Sequence, residues 1–254
     1  MLLCAAGAAS ADEPTICADR PGKATATCTV PADHWQFETG LADWSLQKTG
    51  GERDTSLAIG ETTIKLGLTD SSNLEVDVTP WQKATSRVGG AHESANGFGD
   101  VDVLYKRRLT AADAPLQISA LPFVKIPTAN HSLGNGEWEG GLLIPIGYAI
   151  PKTPLSLGFT PEIDWVADAD RHGHHAAMTQ VASLGWQATS KLNLSAELWG
   201  QWDWDPAGTV RQYSADASIA YLANKRVQLD AGGNFGLNRN TPDVELYAGI
   251  AKLF

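Results

Sequence analysis

Long apolar runs are what this chain most visibly lacks. No stretch of its 254 residues approaches the length an apolar helix needs to cross a bilayer. That argues against a helical membrane protein but leaves open a β-barrel, whose strands show lipid only every second residue. Basic residues are scarce too: 19 Lys and Arg against 29 Asp and Glu give a formal charge of −10. This argues against nucleic acid as a partner, because phosphate binding needs clustered Lys and Arg. Heptads, solenoid repeats, low-complexity tracts, energy-coupling motifs and a Gly-x-Ser-x-Gly turn are all missing.

Cysteine is rare, and its placement is informative. Cys4 sits in Met1–Ala11, which resembles the back half of a secretory signal: Ala9-Ser10-Ala11 fits small-x-small cleavage ahead of polar Asp12-Glu13-Pro14. The positively charged stretch that usually opens such a signal is missing. Residues 1–11 are therefore expected to be a partial signal peptide, and Cys4 leaves with it. Cys17 and Cys28 remain as an even pair in an oxidising compartment. They are expected to form a disulfide in a periplasmic N-terminal segment, residues 12–33, closing a small loop ahead of the main domain; two unrelated thiols are the alternative.

What the chain has is alternation. It stops at Phe254, after Val244, Leu246, Ala248 and Ile250 have alternated with Glu245, Tyr247, Gly249 and Ala251. A final strand running to a terminal aromatic is how outer-membrane barrels usually finish, with the last strand paired to the first. The same period of two recurs upstream. Leu74, Val76 and Val78 oppose Glu75 and Asp77; Val101, Val103 and Tyr105 oppose Asp100, Asp102 and Lys106. Twelve candidate strands follow, predicting a single all-β antiparallel barrel with meander topology over residues 34–254. Residues 176–187 carry the weakest pattern. Pro80, Pro122, Pro145 and Pro161 fall inside candidate strands, each removing a ladder donor.

Connectors and tryptophans fit a membrane. Short connectors such as 69–72, 110–114 and 151–154 alternate with longer ones at 47–55, 82–97, 128–137 and 167–175, as short periplasmic turns and outer loops would. Nine Trp is high for this length. Trp44, Trp81, Trp138, Trp165, Trp202 and Trp204 fall at predicted outer strand ends, with Trp35 and Trp186 at inner ends, forming membrane-interface girdles.

Asp19-Arg20-Pro21-Gly22, Gly97-Phe98-Gly99-Asp100-Val101, Val124-Lys125-Ile126-Pro127-Thr128 and Glu137-Trp138-Glu139-Gly140-Gly141-Leu142 occur in this order. In combination they resemble the Gram-negative outer-membrane transporter family labelled "putative MetA-pathway of phenol degradation", from about Thr15 to Phe254. The resemblance implies an outer-membrane protein involved in uptake of aromatic or other small compounds. It carries no catalytic residues over.

The inward set is strongly acidic. The candidate lumen-lining residues are Glu75, Asp77, Asp100, Asp102, Lys106, Arg108, Glu162, Asp164, Glu197 and Asp230. A water-filled lumen with this field favours cations and neutral polar solutes. The alternative is an interior filled with ion pairs, such as Asp100 or Asp102 with Lys106 or Arg108, since twelve strands lie between filled and open barrels. His172-Gly173-His174-His175 is read as a solvated loop, because four residues without a carboxylate or Cys frame specify no geometry; no metal and no cofactor are expected. With every His at a strand end or loop and no fixed nucleophile–base pair, no enzyme is expected. The expected function is a passive outer-membrane channel for small solutes, aromatic or hydrophobic ones included. Expected partners are the bilayer, those solutes and the barrel-assembly machinery through the C-terminal strand. A structural barrel without an open pore and an exported soluble β-barrel binder are the alternatives. The last would turn the apolar rows inward and the carboxylates out.

Overall fold

The structure, a computed structural model, describes residues 14–254; the signal-like residues 1–11 lie outside the described residues. The elements are β1 (Trp35–Thr49), β2 (Glu52–Ile59), β3 (Glu61–Thr69), β4 (Ser72–Val78), β5 (Trp81–Val88), β6 (Ala91–Gly97), β7 (Val101–Arg108) and β8 (Leu116–Ile126). They continue with β9 (Glu139–Leu143), β10 (Ile146–Ala149), β11 (Leu155–Ala167), β12 (His174–Gln187), β13 (Leu192–Asp203), β14 (Val210–Asn224), β15 (Val227–Gly236) and β16 (Val244–Leu253). Four pairs, β2/β3, β4/β5, β6/β7 and β9/β10, lie end to end as broken single strands, so the wall has twelve antiparallel staves. β16 closes it on β1, from Gln36↔Leu253 to Leu46↔Val244. Phe254 donates its amide to the Trp35 carbonyl (2.7 Å) and packs edge-on against Phe37.

The orientation of the two faces decides what kind of barrel this is. Exposed Phe37, Leu74, Val124, Phe159, Ile163, Leu198, Ile219, Leu229 and Leu246 form the outer surface. Gln36, Glu38, Lys65, Glu75, Lys106, Glu197, Asp216 and Asp230 are buried inside it. A soluble barrel would invert this, because apolar surface left in water is costly. Hydrocarbon outside and polar groups inside is the arrangement a bilayer selects.

The strand breaks answer the proline problem. Pro80 lies between β4 and β5 and Pro145 between β9 and β10, where no ladder bond is lost. Pro122 and Pro161 stay within β8 and β11, paired with Leu142 and Gln180. Gly60, with φ +76°, allows the break between β2 and β3, and its amide still reaches the Gly40 carbonyl at 2.9 Å.

One expectation is corrected here. Residues 47–55 and 82–97 are not loops. They are the tall hairpins β1–β2 and β5–β6, turning at Gly50-Gly51 and Gly89-Gly90, which pair with each other through β2 and β5 and raise the wall on one side. They are polar on both faces, so no apolar alternation marks them. A bulge at Leu41 resets the phase of β1, since Gly40 pairs Gly249 but Ala42 pairs Ala248. That shift points Trp44 outward, beside Leu246 and Leu57. The weakly patterned strand is regular after all; Met178, Ala182, Leu184 and Trp186 pair with outward Ile163, Phe159, Leu157 and Leu155.

Candidate functional site: the lumen and its N-terminal plug

The expectation for residues 12–33 is also corrected. Residues 16–30 do not stand ahead of the barrel; they enter it from the end bearing both termini and cross the lumen as a plug. Cys17 and Cys28 are disulfide-bonded there. Cys17 exchanges hydrogen bonds with the Gln36 side chain, donating its amide at 2.9 Å and accepting at 2.6 Å. Going around the wall, the Asp19 and Arg20 amides donate to Glu38 (2.9 and 3.0 Å). The Arg20 guanidinium pairs with Asp230 at 3.0 Å. The Lys23 amide donates to Glu197 at 2.7 Å, while its ammonium donates to Ser214 and lies 4.3 Å over the Trp199 ring. Thr25 reaches Thr160, the Thr27 carbonyl accepts from Ser119, and the Val30 amide donates to Asn73. Two wall glycines make room. A β-carbon at Gly249 would strike the Arg20 guanidinium, and one at Gly67 would strike the Pro31 carbonyl.

Electrostatics explain why the segment goes in. Lys65 and Lys106 are each 1% exposed, and a buried ammonium is tolerated only when paired. The Asp19 carboxylate bridges them, 2.8 Å from Lys106 and bonded to Lys65. Glu38 adds a second partner to Lys65 at 2.5 Å, and Glu75 one to Lys106 at 3.7 Å. Burial pushes the Asp19 carboxyl up; Lys106 and Lys65 together overcome this and hold it well below the usual carboxylate range. In return Arg20 and Lys23 bring positive charge to Asp230 and Asp216, and the Lys23 backbone amide donates to Glu197. The motif Asp19-Arg20-Pro21-Gly22, with a cis Arg20–Pro21 bond, is the charged centre of the plug.

The candidate lumen residues therefore separate into three groups. Glu75, Lys106, Glu197 and Asp230 point inward but are sealed under the plug. Asp77, Asp102, Glu162 and Asp164 stand above it, and Asp77 and Asp164 each keep an oxygen without a hydrogen-bond partner among the described residues. Asp100 accepts the Ala129 amide at 2.9 Å and, with Glu139, flanks Lys125, so it secures the 127–138 loop. Arg108 lies apart, donating to the Asp70 carbonyl in a turn at the termini end, and does not line the lumen. The ion pairs offered as a filled interior form with other partners: Lys106 pairs with Asp19 and Glu75, and Lys125 with Asp100 and Glu139.

Spaces remain around and above the plug. One of about 260 Å³ lies directly above the plug, edged by Arg20, Glu61, Asp77 and Asp102. A larger one, about 570 Å³, opens between the inner faces of the tall hairpins, lined by Ser45, Gln47, Asp54, Ser56 and Glu93. Beside the plug, a cleft of about 350 Å³ runs along Gly147, Gly158, Ser183, Gly185 and Ser195, where small side chains hold the wall away from Ala24–Thr27.

The girdle residues sit outside. Trp138, Trp165 and Trp204 are exposed at the rim away from the termini, and Trp165 stacks on His174 at 3.6 Å. Trp44 pairs with Leu57 and Trp81 with Ile59 where the outer face turns polar above them. Trp202 faces out against Tyr213. Trp35 and Trp186 are exposed at the opposite end. Sequence reasoning did not anticipate that His175 gathers carboxylates, one from the preceding loop and one from the end of β13: its ring nitrogens lie 2.8 Å from Asp168 and 2.6 Å from Asp203.

A closed barrel with lipid-facing apolar rows, aromatic rims and a polar lumen defines an outer-membrane β-barrel protein. The chain belongs to the family described as "Putative MetA-pathway of phenol degradation", which it matches over residues 18–253. Among solved structures it is similar to the COG4313 outer membrane channel from Pseudomonas putida F1, with a TM-score of 0.71 at 15% identity, covering 92% of this chain and 99% of that one. It is also similar to the β domain of the Bordetella autotransporter BrkA (TM-score 0.54, 10% identity, 88% and 100% covered). The translocator domain of NalP from Neisseria meningitidis is a third (0.52, 12%, 88% and 89%). No curated protein matches the chain.

Proposed function

We propose that the protein is a passive channel for small solutes, gated in width by its own N-terminal segment. The observation that carries this is the division of the lumen: an acidic, hollow upper half above a floor made of hydrogen bonds to residues 16–30. Carboxylates that keep an oxygen without a hydrogen-bond partner among the described residues, Asp77 and Asp164, favour water and cations in the upper half. The cleft beside the plug supports a narrow route rather than a wide one. Inward Leu104, Leu121, Phe123 and Leu143 form an apolar strip on β7–β9, which supports aromatic or hydrophobic solutes as cargo, in keeping with the family description. The reading includes no catalytic step. The side-chain partners of His175 are carboxylates, and those of His34 and His174 are backbone carbonyls; none is a hydroxyl or thiol for a base to activate.

Conductance of the purified protein in planar bilayers, with reversal potentials in a salt gradient, tests the reading. Small, cation-preferring single-channel steps are expected. Silence from both the intact protein and a form whose plug has been released would make it a structural barrel.

A further inference from the structure

The outer face of the tall hairpins carries a line of bases that no acid neutralises among the described residues. Cross-strand register places Lys48 opposite Arg53, Arg53 opposite Arg87, and Arg87 opposite His92. These four belong to adjacent staves and form one row, every member exposed. Like charges directly opposite one another on a sheet repel, and a chain of net charge −10 has acids to spare for separating them. It sends those acids to the other face. Asp54 and Glu93, one position along from Arg53 and His92, line the inner cavity. The nearest carboxylate on the adjoining loop, Asp243, accepts the backbone amide of Lys48. Among the described residues none of Lys48, Arg53, Lys83 or Arg87 has a salt-bridge partner. Between the two arginines lies a hollow of about 100 Å³ whose remaining walls are Thr55 and Thr85, two hydroxyl donors.

Height fixes what can fill it. Trp44, Leu57 and outward Lys83 share the row where the apolar band ends. The Lys48–Arg53–Arg87 row lies four residues further out, about 13 Å along the strand. At a strand tilt of about 40° that is about 10 Å above the interface. The termini and short turns put this rim on the outer side, in the headgroup layer of the outer leaflet. The outer leaflet of a Gram-negative outer membrane is phosphorylated glycolipid. We infer that the row Lys48–Arg53–Arg87, with Thr55, Thr85 and Lys83 below it, is a binding site for the phosphate groups of that glycolipid. The guanidinium pair supplies bidentate, charge-assisted hydrogen bonds to phosphate oxygens. Occupied, the site exchanges repulsion between cross-strand neighbours for attraction to a shared anion.

Native mass spectrometry of the detergent-purified protein tests this, titrated with lipid A bearing both phosphates, with the same lipid dephosphorylated, and with inorganic phosphate. The wild-type protein is expected to prefer phosphorylated lipid A about tenfold over the dephosphorylated form. The R53Q/R87Q variant is expected to lose that preference, and R53K/R87K to keep part of it. R107Q, which removes an exposed arginine near the opposite end, is expected to behave as wild type. Heat-modifiable mobility on gels confirms that each variant is folded. Equal binding of the two lipids by the wild type, or an unchanged preference in R53Q/R87Q, overturns the proposal. Displacement of the lipid by inorganic phosphate at millimolar concentration would assign the row to free anions and overturn the glycolipid assignment. Neither result bears on whether the lumen conducts.

Discussion

The lower and upper halves of the barrel handle the same problem, charge inside a cylinder, in opposite ways. Below, charges meet opposite charges across the plug: Asp19 between Lys65 and Lys106, Arg20 on Asp230, and Lys23 beside Asp216 with its amide on Glu197. Above, Asp77, Asp102, Glu162 and Asp164 crowd together with Lys125 as the nearby wall cation, and that lysine is engaged by Glu139 at 2.6 Å and Asp100. A compensated lumen is solid and an uncompensated one holds water, so the plug is the boundary between wall and channel. The cost of breaking a charge pair should therefore depend on its height.

The largest effect is expected at Asp19. D19A leaves Lys65 and Lys106 buried with one partner each, Glu38 and Glu75. The loss should be about 2–3 kcal/mol, at the low side for breaking a buried pair because those partners remain. The plug should unseat in a measurable fraction of molecules, raising mean conductance severalfold and opening Arg20 and Lys23 to trypsin. Unchanged cleavage and conductance would show that the backbone bonds alone hold it.

In the upper half the prediction reverses. D77N/D102N/E162Q should leave thermal stability within about 1 kcal/mol, as expected where no compensated pair is removed. It should nevertheless carry the reversal potential from cation preference toward neutrality. E197Q/D230N, carrying the same kind of change below the plug, should loosen Lys23 and Arg20 and shift selectivity little. If both sets move selectivity equally, the two halves are one electrostatic compartment.

Much of the outer surface was legible in the sequence. Leu74/Val76/Val78, Val101/Val103/Tyr105 and the run into Phe254 have one face against hydrocarbon and one against polar groups, and that environment writes a period of two. The tall hairpins have water on both sides, so Ser45, Asp54, Thr55 and Ser86 carry no such record. The plug was illegible for another reason. Its partners lie as far as 210 residues away and pair by charge, which has no periodicity. A hint was present: Lys65 and Lys106 sat at inward positions, and a buried lysine requires an acid. The sequence pairs Lys106 with Asp100 or Asp102 on its own strand instead, and Asp19 lies in a segment expected to stand ahead of the barrel. The His172–His175 stretch was judged on its own four residues, while Asp168, Asp203 and Asp205 converge on His175 from strands and loops that only the closed barrel brings together.

The Cys17–Cys28 bond restrains the plug from within rather than tying it to the wall. Reducing it should cost about 2–3 kcal/mol of chain-entropy stabilisation for a loop of this length. Because the ring of contacts from Gln36 to Asn73 survives reduction, the conductance change should be smaller than in D19A. A C17S/C28S variant as leaky as D19A would mean that the bridge shapes the segment before it docks.

Acidity gives the smallest effect and separates the halves most cleanly. The folded-state pKa of Asp19 is depressed, so its contribution is fully present above the ordinary carboxylate value of about 4 and fades as pH falls below that. Plug seating, read as protection of Arg20 and Lys23 from an acid-tolerant protease, should hold from neutral pH down to about 4 and weaken only beneath it. The acidic upper lumen has no lysine pair of this kind, so its cation preference should start to decline at higher pH than plug protection does. Loss of both at one pH would place Asp19 in the same environment as the carboxylates above it, and the division between a compensated floor and a hollow upper lumen would not stand.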